Sequence, residues 1–209
     1  MDYLKALSYN LIILLFTMPL IILGFIVVPF GLLFKDDSKK DLTYKTDGTN
    51  EWWLRTLPSW AKWWNNPIDG FLGDDSYRWA SRDIPFGWKN TSFLGMFWWG
   101  AIRNPLNYFK RFVISCDVRE CSYELLQGQE YVRDDITNQG YQFLKATRRY
   151  DGKAYYRIYG VWQYGQSSRA FVLEIGNKFD KSHFSEDYTG REYKAFKGFT
   201  FVINPYKEI

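Results

Sequence analysis

Residues 6–34, ALSYNLIILLFTMPLIILGFIVVPFGLLF, contain no charged side chain. No other feature constrains the fold as strongly, because a helix needs about 20 apolar residues to cross the hydrocarbon core of a bilayer. This run of 29 is long enough to span with tilt or with one end in the interface. Pro19 removes a backbone donor and predicts a kink, while Pro29 and Gly31 predict the end of the regular helix. A re-entrant hairpin is the weaker alternative, since each arm would be too short to span. The run is too long for a cleavable signal, only Lys5 precedes it, and no small-residue cleavage site follows. The sequence therefore predicts an uncleaved anchor over residues 1–35. Lys35, Lys39 and Lys40 follow the run, so the positive-inside rule puts the C-terminal body in the cytoplasm.

Residues 36–50, DDSKKDLTYKTDGTN, read as a polar linker. Residues 51–118 read as a tryptophan-rich helical module, with nine of the ten tryptophans between positions 52 and 99. Trp52, Trp53, Trp60, Trp63 and Trp64 fall mostly on one side of a helix, and Pro58 divides that segment into two short helical turns. Ser92 is placed to cap a second apolar helix, SFLGMFWWGAIRNPLNYFKRFV. Its uncharged part, residues 93–102, is too short for a second span, and Asn104–Pro105 predicts a restart. Two readings stand side by side. Trp52, Trp53, Trp60, Trp63, Trp64, Trp98 and Trp99 form a membrane-interface belt, with Arg103, Lys110 and Arg111 near anionic headgroups. Alternatively the same rings form a core.

From about residue 119 the pattern turns to strands. YQFLKATRRYDGKAYYRIYGVWQYG reads as a hairpin around Asp151–Gly152, RAFVLEIGNKF as a third strand and REYKAFKGFTFVINPYKEI as a fourth. Tyr155, Arg157, Tyr159 and Val161 alternate with Tyr156, Ile158 and Trp162. The predicted class is α+β: an N-terminal transmembrane helix, an aromatic-rich helical and loop module, and a small antiparallel sheet over 119–209.

Chemistry is sparse. A net charge of +4 without a Lys/Arg block gives no reason to expect nucleic acid. The two cysteines, Cys116 and Cys121, read as reduced thiols. No nucleophile elbow, phosphate loop, dinucleotide fingerprint or zinc-protease helix is present. The only histidine, His183, sits in a polar stretch and reads as surface rather than as a general base. In NNPIDGFLGDD, Asn65, Asp69, Asp74 and Asp75 are candidate ligands for a divalent cation, but Pro67 takes one ligand place and no Glu closes the loop. The leading reading is a structural turn clamped by Trp64 and Trp79, with no cofactor. A glycosidase-like carboxylate pair or a metal-dependent hydrolase is the alternative.

WNNPIDGFLGD followed by WWGAIRNPLNYFKR resembles a group of small uncharacterised tailed-bacteriophage proteins. They have a hydrophobic N-terminus, a D-G loop between tryptophans, a W-x-x-x-x-R-N-P-x-N element and a β-rich C-terminus. The resemblance covers most of residues 50–112, including Arg103, Asn104, Pro105 and Asn107, and departs at Pro67, where the group commonly has an acidic or polar residue. It implies a phage origin and a host inner-membrane or virion setting, and brings no activity. The expectation is a single-pass accessory protein that acts by binding, its partners the bilayer and a phage or host membrane protein. The alternative is a virion component used in DNA delivery.

Overall fold

The computed structural model describes residues 2–40, 53–66, 85–89, 92–132, 139–184 and 195–209. The chain divides into two compact units, one of residues 1–13 with 114–209 and one of residues 14–113. A single helix, α1 (Asp2–Leu32), contributes to both. It continues through Pro19 and Pro29 and ends at Leu32, next to Gly31, where the sequence placed its end. Each proline removes only one backbone bond. The C-terminus closes with tighter bonds, Leu33 N–H to Phe30 O at 3.2 Å and Phe34 N–H to Gly31 O at 3.0 Å.

The first unit is built on strands β4 (Cys121–Gly128), β5 (Gln139–Arg148), β6 (Ala154–Gln163), β7 (Arg169–Asn177) and β9 (Phe199–Glu208). They form a five-stranded antiparallel sheet in the order β4-β5-β6-β7-β9. Two short strands, β3 (Cys116–Asp117) and β8 (Phe196–Lys197), pair separately. The sequence predicts the sheet strands β5, β6, β7 and β9 and does not show β4. As an edge strand β4 buries few residues, so SYELLQG lacks a strong alternation.

Register assigns the faces. Leu144 lies opposite Arg157 and Ala146 opposite Tyr155, so these residues share one face. Phe143 and Tyr156 point to the other. On the first face Leu144, Ala146 and Tyr155 pack with Cys116, Val118, Cys121 and Phe179. On the second, Phe143 and Tyr156 pack with Ala6 and Tyr9 of α1, and the Tyr3 ring stacks on Phe143 at 4.4 Å. Fully buried Asn177 ties the layers together: it accepts from Tyr9 Oη at 2.9 Å and donates to Ile114 O at 3.2 Å and Lys197 O at 3.0 Å. Arg157 donates to Phe179 O and Glu174 Oε1, both at 2.8 Å, from the interior of the same face. The buried thiols of Cys116 and Cys121 lie 3.4 Å apart without a disulfide. Their mutual hydrogen bond and burial hold the Cys116 thiol far above its ordinary pKa.

In the second unit the polar stretch after α1 is not all linker. Its first five residues form β1 (Asp36–Lys40), antiparallel to β2 (Trp53–Thr56). Where two helical turns were expected, β2 and a 3-10 turn (Ser59–Trp64) flank Pro58. Ser92 caps α2 (Phe93–Phe97), its Oγ accepting from Gly95 N at 3.1 Å. A wide π turn (Trp98–Arg103) follows, then left-handed Leu106 and α3 (Asn107–Phe112). Val28 and Leu32 of α1, Leu57, Ala61, Met96 and Leu106 form this unit's core.

Gly176 on β7 has φ 109°, and a Cβ there would lie 2.0 Å from Tyr156 O. Gly176→Ala is expected to destabilise the sheet by at least about 3 kcal/mol, read as a fall in the denaturant midpoint. An unchanged midpoint would refute this register.

Candidate functional site

Among the described residues, α1 is the one helix long and apolar enough to cross a membrane. Only 17% of its most apolar 18-residue window is buried, whereas the core helix of a water-soluble domain would be mostly covered. The covered stripe carries glycines. The Trp64 indole donates to Leu20 O at 2.9 Å, and a Cβ on Gly24 would lie 2.8 Å from that ring. A Cβ on Gly31 would meet Leu57 at 3.2 Å and Ala61 at 3.5 Å. Glycine at these two places lets aromatic elements lie against the helix backbone. Phe16, Ile22, Ile26 and Phe30 of α1 remain exposed.

The tryptophans named from sequence divide. Trp64 is 6% exposed and Trp99 4%, so both belong to the core of the second unit. Trp60 and Trp63 are exposed, as are Phe93, Leu94 and Ile102 from the elements that pack on α1. Trp98 is half-buried against the same core. Trp53 lies on β2, and Trp52 is outside the described residues. Helical spacing could not separate these roles because the residues before Pro58 lie on a strand and those after it on a 3-10 turn, not on two helical turns.

Asp69, Asp74 and Asp75 lie outside the described residues. Asn65, the fourth candidate cation ligand, uses its side-chain oxygen on the backbone, accepting from Leu57 N at 3.3 Å and Asn66 N at 3.1 Å. Among the described residues no three His, Cys, Asp or Glu side chains cluster to hold a metal ion. The two stretches that carried the resemblance meet here. Asn107 Nδ2 donates to Asn66 Oδ1 at 3.2 Å, and Tyr108 N–H donates to Asn65 O at 3.0 Å. Asn104 and Pro105 form the bend before α3, and Arg103 ends the π turn on the surface.

A second feature lies wholly in the first unit. A cleft of about 560 Å³ opens between the turn at Val118–Glu120, the start of β4 and the turn at Lys181–Phe184. Arg119, Tyr123, Tyr131, Arg149, Lys181 and His183 contribute to its wall. Asp117 grips Arg119 with bonds of 3.0 and 2.6 Å, and Glu130 holds Lys181 at 2.6 Å. Arg149 is fixed differently, donating to Arg119 O at 3.2 Å and Cys121 O at 3.0 Å. The Tyr123 hydroxyl is buried and meets no acceptor among the described residues; a missing bond of that kind costs about 1–3 kcal/mol. Burial pushes the Tyr123 pKa up to about 12, with Glu130, Asp180 and Tyr131 adding to the shift, so the group is an O–H donor at neutral pH. Sequence spacing gave no sign of this cleft, because its residues come from four separated segments.

His183 is half-buried beside the cleft. Burial pushes its pKa down to about 4; Lys197 and Arg157 act in the same direction, and Asp180 opposes them. The ring is therefore neutral at pH 7, and Nδ1 accepts from Asp180 N at 3.0 Å. The Asp180 carboxylate is also 3.4 Å from Nδ1, but a neutral ring whose Nδ1 already accepts has no proton to offer it there.

The family model described as Family of unknown function (DUF7338) matches residues 1–209. No curated protein and no solved structure matches the chain.

Two outcomes follow from this geometry. Gly24→Leu, which drives a side chain into the Trp64 indole, is expected to cost about 1–3 kcal/mol and to change tryptophan fluorescence; an unaltered spectrum and thermal midpoint would refute the contact. For His183 the folded pKa of about 4 lies below its ordinary value of 6.5, so the unfolded chain takes up the proton first on acidification. Its contribution to stability is complete above pH 6.5 and declines as pH falls toward 4. The thermal midpoint of His183→Gln should fall less between pH 7 and 4.5 than that of the unaltered protein.

Proposed function

We propose that this chain, which belongs along its whole length to that family of unknown function, is a phage-encoded, single-pass, membrane-anchored accessory protein that acts by binding rather than catalysis. The observation that carries this reading is the exposed apolar surface of α1, continued by the exposed rings of the elements packed on it. In a bilayer those side chains meet acyl tails, and Trp60 and Trp63 suit the headgroup region. Lys35, Lys39 and Lys40 after the helix, against Lys5 before it, favour a host inner membrane with the Leu32 end of α1 on the cytoplasmic side, while the sheet packs on the other end of that helix, at Tyr3, Ala6 and Tyr9. Phage origin rests on the paired tryptophan-loop and R-N-P-x-N stretches. The partner we infer is the bilayer together with a phage or host membrane protein.

Deleting α1 would take Ala6 and Val28 out of two cores, so point substitution is the cleaner test. Ile22 and Ile26 are 63% and 70% exposed. Ile22→Lys with Ile26→Lys puts two charges on the uncovered face, each costing about 2.5–3.5 kcal/mol near a span's centre. The doubly substituted protein should leave the carbonate-resistant membrane fraction while its circular dichroism in detergent is retained. Unaltered protein that is soluble without detergent would defeat the anchor, and recovery from purified particles rather than from membranes would favour a virion role.

A further inference from the structure

We propose that the cleft bounded by the Val118–Glu120 and Lys181–Phe184 turns binds a phosphate monoester carried on a small ring. Among the described residues its wall contains Arg119, Arg149 and Lys181 and no carboxylate side chain. Asp117 and Glu130 offset two of those cations from outside the wall. Arg149 is different: two backbone carbonyls hold its guanidinium in place, and among the described residues no carboxylate neutralises it. A guanidinium fixed in this way needs little ordering on binding, and its remaining N–H groups match an oxyanion.

The second observation is the Tyr123 hydroxyl, a buried donor with no acceptor among the described residues. A ligand oxygen in the cleft satisfies it. Fixed donors from separate chain segments suit the three-oxygen array of a phosphate monoester better than a flat carboxylate. The wall also carries three aromatic rings: Tyr123 and Phe184 lie 5.3 Å apart at 43°, and Lys181 sits over the Tyr131 ring at 5.9 Å. Such faces accept a flat apolar body, and the volume of about 560 Å³ falls in the usual range for small-molecule sites. Neutral His183 sits in the same wall and leaves the charge to the arginines and lysine.

This proposal is independent of the membrane reading, and its test uses the full chain in detergent micelles. Phenyl phosphate, benzoate and inorganic phosphate are titrated calorimetrically. Phenyl phosphate is expected to bind at least about tenfold more tightly than either of the others. Arg149→Gln should weaken it by at least about tenfold. Tyr123→Phe should weaken binding while leaving the ligand-free thermal midpoint unchanged or raised, because it removes an unsatisfied buried hydroxyl. A purely structural tyrosine would lower that midpoint. The proposal is overturned if phenyl phosphate shows no saturable binding below about 10 mM, if benzoate binds equally well, or if Arg149→Gln binds like the unaltered protein.

Discussion

The uncovered apolar face of α1 is the constraint around which the rest of the chain is arranged. Burying one Leu, Ile or Phe side chain is worth about 1.5–3 kcal/mol. Phe16, Ile22, Ile26 and Phe30 alone therefore represent about 6–12 kcal/mol, comparable with the whole net stability of a domain. No ordinary sheet or loop contact compensates for that exposure in water. The chain covers one stripe of the helix itself, with Trp64 on Gly24 and Leu57 and Ala61 near Gly31, and leaves the remainder apolar.

Much of the architecture was legible because it depends on local chemistry. An uncharged run of 29 residues is a helix in almost any setting. Asp151–Gly152 permits the tight turn between β5 and β6, and Gly152 has φ 70° there. The alternation of Tyr155, Arg157, Tyr159 and Val161 is the sheet face that the register confirms. Ser92 caps the helix it was expected to cap. What could not be read depends on distant partners. β1 is polar in sequence and becomes a strand only because β2 lies alongside it. Trp63 and Trp64 are adjacent, yet one is exposed and the other is sealed by a glycine 40 positions earlier.

The candidate sites show the same division. The aspartate loop attracts attention in sequence because carboxylates beside glycines are a local pattern, yet Asn65 serves its own backbone and holds the approach to α3. The cleft left no local trace. Arg119, Tyr123, Arg149 and Lys181 are unremarkable where they stand and become a charged, ring-walled space only when β4, the β5–β6 turn and the segment after β7 converge. Charge count alone, at +4, conceals the Arg149 guanidinium, which is fixed by two carbonyls and, among the described residues, not neutralised.

The division of α1 between two compact units bears on the order in which the chain is completed. Tyr9 hydrogen-bonds to Asn177, 168 residues later, whereas the Trp64 contact with Leu20 spans only 44. At synthesis rates of roughly 5–20 residues per second, the amino-terminal turns leave the ribosome some ten to thirty seconds before their acceptor exists. The strands whose Phe143 and Tyr156 cover Ala6 and Tyr9 are themselves made late, so the first residues wait without their sheet partners. The sheet closes onto the amino-terminal turns only once β5, β6 and β7 exist, so the first residues made are among the late ones to find their partners.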